Sequence, residues 1–143
     1  MKRKASAVWQ GGLKDGRGKI STDSGVLSDT QYSFSTRFED GIGTNPEELI
    51  AAAHAGCFSM ALSGQLGNAG LTAESINTTA TVTLDKTEAG FTITAVHLDV
   101  KARVPGADQA AFETATANAK AGCPVSRLLK AEITMTAQLE SGA

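Results

Sequence analysis

Neither sign of charge predominates in this 143-residue chain, which carries 13 basic and 15 acidic residues for a net charge of −2. A nucleic-acid binder shows a basic surface, and here only Met1-Lys2-Arg3-Lys4 is locally basic. That basic start is not followed by the apolar core of an export signal, because Ala5 to Gln10 is short, mixed in character and closed by Gly11-Gly12. The expected location is therefore the cytoplasm. The main apolar run, Leu49 to Leu62, is shorter than the ~20 residues that span a membrane. Two cysteines, Cys57 and Cys123, are too few for a disulfide scaffold, and they are the number a redox couple requires. Neither a phosphate-binding glycine loop nor a Gly-x-Ser-x-Gly elbow occurs, so nucleotide hydrolysis and serine esterase chemistry have no support.

What is present describes one domain over residues 1–143, of ordinary globular composition at 41% hydrophobic and 20% charged. Short β-favouring segments at Ser6–Trp9, Lys19–Thr22 and Tyr32–Arg37, parted by glycine-rich breaks, predict antiparallel strands. Asn45-Pro46-Glu47-Glu48 then combines an N-cap, a proline at the first helical position and a glutamate placed to close a capping box. The helix it opens runs to the glycine-rich exit at Gly67–Gly70. It is apolar nearly all round, which predicts a central helix enclosed by other elements. A long hairpin follows, Ile76–Lys86 with Phe91–Val104, then a helix over Gln109–Lys120 capped by Asp108, a short helical piece after Cys123-Pro124, and a final strand over Glu132–Leu139. The expected class is α+β, an antiparallel sheet packed on a buried central helix.

A lone mid-helix cysteine such as Cys57 is ordinarily a small hydrophobe. Cys123 differs, since Gly122-Cys123-Pro124 places a thiol at a helix N-cap, where unpaired amides and the helix dipole favour the thiolate. His54, three residues before Cys57, can share its face as a base or ligand, although a packed polar role is the commoner one. With His97 it completes four possible zinc ligands, His54, Cys57, His97 and Cys123, whose spacing matches no zinc-finger pattern. Arg37, read as the end of a strand between Phe34 and Phe38, is the natural cation near the site. Glu47 has an ordinary role available at the helix dipole.

Thr36-Arg37-Phe38, Gly43 to Leu49, His54-Ala55-Gly56-Cys57-Phe58-Ser59-Met60 and Ala121 to Ser126, with cysteines 66 positions apart, together resemble the OsmC/Ohr family over the whole chain. Within it they are similar to the osmotically inducible branch, and Lys130 to Thr134 strengthens the match. The resemblance implies a thiol-dependent peroxidase that reduces organic hydroperoxides to alcohols, with hydrogen peroxide as a further candidate substrate, in oxidative and osmotic stress defence. It implies no metal or flavin, only an external dithiol reductant such as a lipoylated protein, and an intertwined homodimer with sites at the interface. Cys57 then corresponds to the peroxide-attacking cysteine, Cys123 to the resolving one, Arg37 to the arginine that holds the thiolate, and Glu47 to the glutamate that orients that arginine.

Those roles agree with what the residues can do. Arg37 would lower the Cys57 pKa and donate to a developing alkoxide. Phe58, Met60, Leu62 and Leu128 offer an apolar lining for an alkyl or aryl tail. Ten residues of straight helix between Glu47 and Cys57 rise about 15 Å. That is too far for one arginine to serve both, so Glu47 and Arg37 are expected to complete the site around Cys57 of a second copy. The competing readings are a non-catalytic, stress-related small-molecule binding module with structural cysteines, and a zinc-stabilised fold. Neither needs Arg37 and Glu47.

Overall fold

The computed structural model describes residues 1–140. They fall into two compact units, Met1–Leu49 and a second that begins at Ile50.

In the first unit β1 (Ala5–Gln10), β2 (Arg17–Thr22) and β3 (Thr30–Tyr32) pair antiparallel in chain order, and every residue of β1 is exposed. Gly18 sits opposite both Trp9 and Tyr32. A Cβ there would collide with the Tyr32 ring, so glycine lets the two rings close over the strand with centroids 5.5 Å apart.

The strand expected over Tyr32–Arg37 stops at Tyr32, and Phe34–Phe38 forms a short helix, α1. The reason is local. Ser33, in extended backbone, accepts from the Thr36 amide, while Thr36 Oγ1 accepts from the Ser33 amide at 2.7 Å, a capping box with threonine in the usual glutamate position. Phe34 and Phe38, four apart, then share one helix face with ring centroids 4.9 Å apart. Arg37 consequently occupies the last turn of a helix, where its charge suits the dipole, and not a strand end.

Helix α2 spans Pro46–Asn68. Asn45 Oδ1 accepts from the Glu48 amide at 2.8 Å, but the Glu48 carboxylate accepts from Thr44 Oγ1 instead of completing the box. The helix is closed just beyond its end by Gly70, whose φ of +77° allows a pair of closing bonds, Leu71 N–H to Leu66 O and Gly70 N–H to Gly67 O. By length and composition this 23-residue helix, with a mean hydropathy of 1.3 over its most apolar window, could cross a membrane, more than the Leu49–Leu62 run suggested. Its buried stripe belongs to a protein core. Within one chain only His54, Phe58, Leu62 and Leu66, one row at four-residue spacing, are buried. One chain supplies packing partners for one face only.

In the second unit β4 (Ser75–Thr87) and β5 (Gly90–Arg103) form the long antiparallel hairpin. Then come α3 (Gln109–Gly122), capped by Asp108 through the Ala111 amide at 2.7 Å, α4 (Pro124–Leu128) and β6 (Glu132–Glu140). The sheet order is β4-β5-β6, and β6 runs parallel to β5, so the sheet is mixed where a wholly antiparallel one was expected. A parallel neighbour needs a long crossover, and α3 with α4 provides it. Phe58, Leu62 and Leu66 of α2 pack with Val96, Leu98 and Val100 of β5 and Phe112 of α3 in the core.

Candidate active site

Cys123 ends α3 and caps α4, with Pro124 in the first turn of the new helix. The turn aims its sulfur inward: Cys123 is 1% exposed, its Sγ accepts from the Ser126 amide at 3.4 Å, and its thiol donates to Ser126 Oγ at 3.1 Å. Cys57, on α2, is half-buried. Both thiols are free, and they are close neighbours. Burial, the largest influence, pushes the Cys57 thiol above its ordinary 9.0. The backbone amide of Val125 pulls the other way by donating to the sulfur, and the neighbouring Cys123 raises it further. Within the second unit, then, the group favouring the Cys57 thiolate is the Val125 amide.

In the first unit Arg37 meets Glu47 as expected. Nε donates to Oε1 at 2.9 Å and Nη2 to Oε2 at 3.0 Å, a bidentate fork that fixes the guanidinium plane. Arg37 also lies over the Phe38 ring, 5.2 Å from its centroid. Beside it Trp9, Leu13, Tyr32, Phe34, Phe38 and Pro46 line a largely apolar pocket of about 300 Å³. The apolar lining expected from Phe58 and Leu62 is not available, because both are fully buried core residues; Met60 and Leu128 are exposed. No sequence signal marked the Arg37 pocket, since its residues come from β1, the β1–β2 loop, β3, α1 and the start of α2.

His54 is fully buried and bonded through Nε2 to Ser126 Oγ at 2.7 Å, and burial lowers its pKa from the ordinary 6.5. Ser126 is the polar residue that sequence reasoning missed; its position, three after a half-helical cysteine cap, was the available signal. His97 lies elsewhere, between Thr134 and Thr136 on the sheet. Among the described residues no three His, Cys, Asp or Glu side chains gather as a metal site.

Two adjacent reduced thiols on a helix pair over a mixed sheet define a dithiol site on an α+β fold. The chain belongs to the OsmC-like protein family, whose sequence model matches residues 39–138. It is 58% identical to peroxiredoxin OsmC of Escherichia coli over 139 residues, 97% of either chain. It is 31% identical over 100 residues to the organic hydroperoxide resistance protein of Xanthomonas axonopodis pv. citri, covering 69% of this chain and 68% of that one. The solved structure of an organic hydroperoxide resistance protein OsmC from Legionella pneumophila is 26% identical, with a TM-score of 0.67 and 96% of each chain covered.

Proposed function

We propose that the chain is a cysteine-based peroxidase that reduces organic hydroperoxides to alcohols. The observation that carries this is the pair of neighbouring free thiols, Cys57 and Cys123, in a chain 58% identical to a peroxiredoxin. Cys57 as thiolate attacks one peroxide oxygen, the O–O bond breaks, and an alcohol leaves after taking up a proton. The sulfenic acid left on Cys57 is attacked by Cys123, forming a disulfide and releasing water. An external dithiol, of which a lipoyl group is one type, reopens the disulfide.

The reading needs a cation to stabilise the Cys57 thiolate against burial and to meet the developing alkoxide. Arg37, held in its fork by Glu47, fits that need when supplied by a second copy of the chain, and the functional unit is accordingly a homodimer acting in the cytoplasm. The unburied side of α2 supports it: Met60 is 79% exposed, and Gly56 and Gly64 have open space beside them, a small-residue surface suited to close helix contact. The apolar pocket beside Arg37 takes the alkyl or aryl tail, which favours organic hydroperoxides over hydrogen peroxide.

The test is intact mass and free-thiol count of reduced protein before and after one equivalent of cumene hydroperoxide. The parent is expected to lose two hydrogens and both thiols, Cys123→Ser to accumulate a sulfenic acid, and Cys57→Ser to remain unchanged. A parent that keeps both thiols overturns the reading.

A further inference from the structure

The reaction as described consumes the Cys123 proton in the water it releases, but gives no route by which that proton leaves the sulfur. Cys123 is 1% exposed, so bulk water does not reach its thiol. Its hydrogen-bond partner is Ser126 Oγ at 3.1 Å, and Ser126 Oγ lies 2.7 Å from Nε2 of the fully buried His54. Thiol, hydroxyl and imidazole therefore form an unbroken line from the site into the core, built from the cap of α4, its third residue, and α2 one turn before Cys57.

A cap alone does not explain this line. The Ser126 amide already satisfies Cys123 Sγ as an N-cap, so a side chain without the hydroxyl would serve the helix equally. His54 is moreover costly as a packing residue, because its Nδ1 is buried with no hydrogen-bond partner among the described residues. An imidazole kept at that cost, with its other nitrogen aimed at a hydroxyl on the resolving sulfur, is placed for proton transfer.

We infer that Ser126 and His54 are a proton relay for the resolving thiol. The inference rests on the peroxidase reading and deepens it. As Cys123 Sγ attacks the Cys57 sulfenic acid, its proton passes to Ser126 Oγ while the Ser126 proton passes to His54 Nε2. The S–S bond forms, the S–O bond of Cys57 breaks, the departing hydroxide takes one proton from solvent, and His54 returns the proton it received to solvent, so that the net products are the disulfide and one water. Burial favours neutral His54 between turnovers, and in the tautomer with its proton on Nδ1 the ring accepts from Ser126 Oγ through Nε2. Ser126 touches the reacting sulfur and is the catalytic member; His54 acts through it. Ser126 also borders a groove of about 360 Å³ lined in part by residues of α3 and β6.

The experiment separates the two chemical steps. Reduced protein is mixed with one equivalent of cumene hydroperoxide, and sulfenic acid and disulfide are followed over time by quenching and intact mass, for the parent, Ser126→Ala, Ser126→Thr and His54→Gln. In Ser126→Ala the sulfenic acid is expected to form within about twofold of the parent rate and to close to the disulfide at least about tenfold more slowly, with closure recovering in Ser126→Thr. His54→Gln is expected to slow closure in the same way; should it fail to fold, the two serine variants decide. Closure in Ser126→Ala within twofold of the parent, or equal slowing of both steps, overturns the relay. A parent that forms no sulfenic acid at all overturns the peroxidase reading itself, a different result from the first two.

Discussion

Arg37 and Glu47 are joined by two parallel N–H···O bonds, at 2.9 and 3.0 Å, with the carboxylate the more buried partner at 13% side-chain exposure against 38%. A lysine cannot reproduce that fork, and a glutamine keeps its shape but loses the charge. Glu47→Gln and Arg37→Lys are each expected to lower kcat/KM for cumene hydroperoxide by about 10- to 100-fold. Because the pair lies outside the hydrophobic core, the thermal midpoint should move little. Steady-state kinetics beside a melting curve checks both.

The Cys57 thiol is pushed above 9.0 by burial, so in the absence of a nearby guanidinium its thiolate grows as pH rises through and beyond that value. If a second copy's Arg37 lowers it, Arg37→Met should cut the rate of Cys57 alkylation by iodoacetamide at pH 7 by about tenfold or more. The parent and variant rates should then converge at high pH, where both thiols are ionised. Measuring the alkylation rate against pH in the Cys123→Ser background isolates the effect.

His54 contributes to stability in the opposite pH direction. Its folded pKa lies below the ordinary 6.5, so the unfolded chain takes up this proton first as pH falls. The contribution is complete above the unfolded value and is lost as pH drops through and below 6.5. Between pH 7.5 and pH 5 the parent should lose more stability than His54→Gln does. Urea midpoints at the two pH values for both proteins give the comparison.

The pocket beside Arg37 offers aromatic walls to a substrate tail. Phe38→Ala should raise KM for cumene hydroperoxide about 10-fold, the scale of one lost apolar contact set, while hydrogen peroxide turnover changes little. Equal losses on both substrates would show that the pocket does not read the tail.

Met60, largely exposed on the open side of α2, should be covered in a dimer. Met60→Glu is then expected to shift the protein to monomer in sedimentation and to abolish peroxidase activity, while the far-UV circular dichroism of the monomer is retained. A fully active monomer would remove the second copy from the site.

Much of this protein could be read from the sequence because the signals are local. Asn45-Pro46 and Asp108 announce the starts of α2 and α3, Gly67 to Gly70 the end of α2, and Gly122-Cys123-Pro124 the break that makes a cysteine into a cap; each is satisfied by residues within five positions. The motifs around Arg37, Glu47, Cys57 and Cys123 brought the candidate site with them. The strand misread over Tyr32–Arg37 was lost to an equally local device, the Ser33–Thr36 box, because threonine in place of glutamate hides it.

Tertiary structure alone decided the rest. Ser126 stands between Cys123 and His54 only because α4 packs against α2, 72 positions away in sequence, and no periodicity encodes that distance. The parallel pairing of β6 with β5 depends on the path of the α3–α4 crossover, and which face of a nearly all-apolar α2 is buried depends on where Phe112 and β5 lie. Local hydrogen-bond geometry is written into short stretches of chain, whereas the choice among apolar faces and the meeting of distant polar atoms are settled by packing, which involves the whole fold at once.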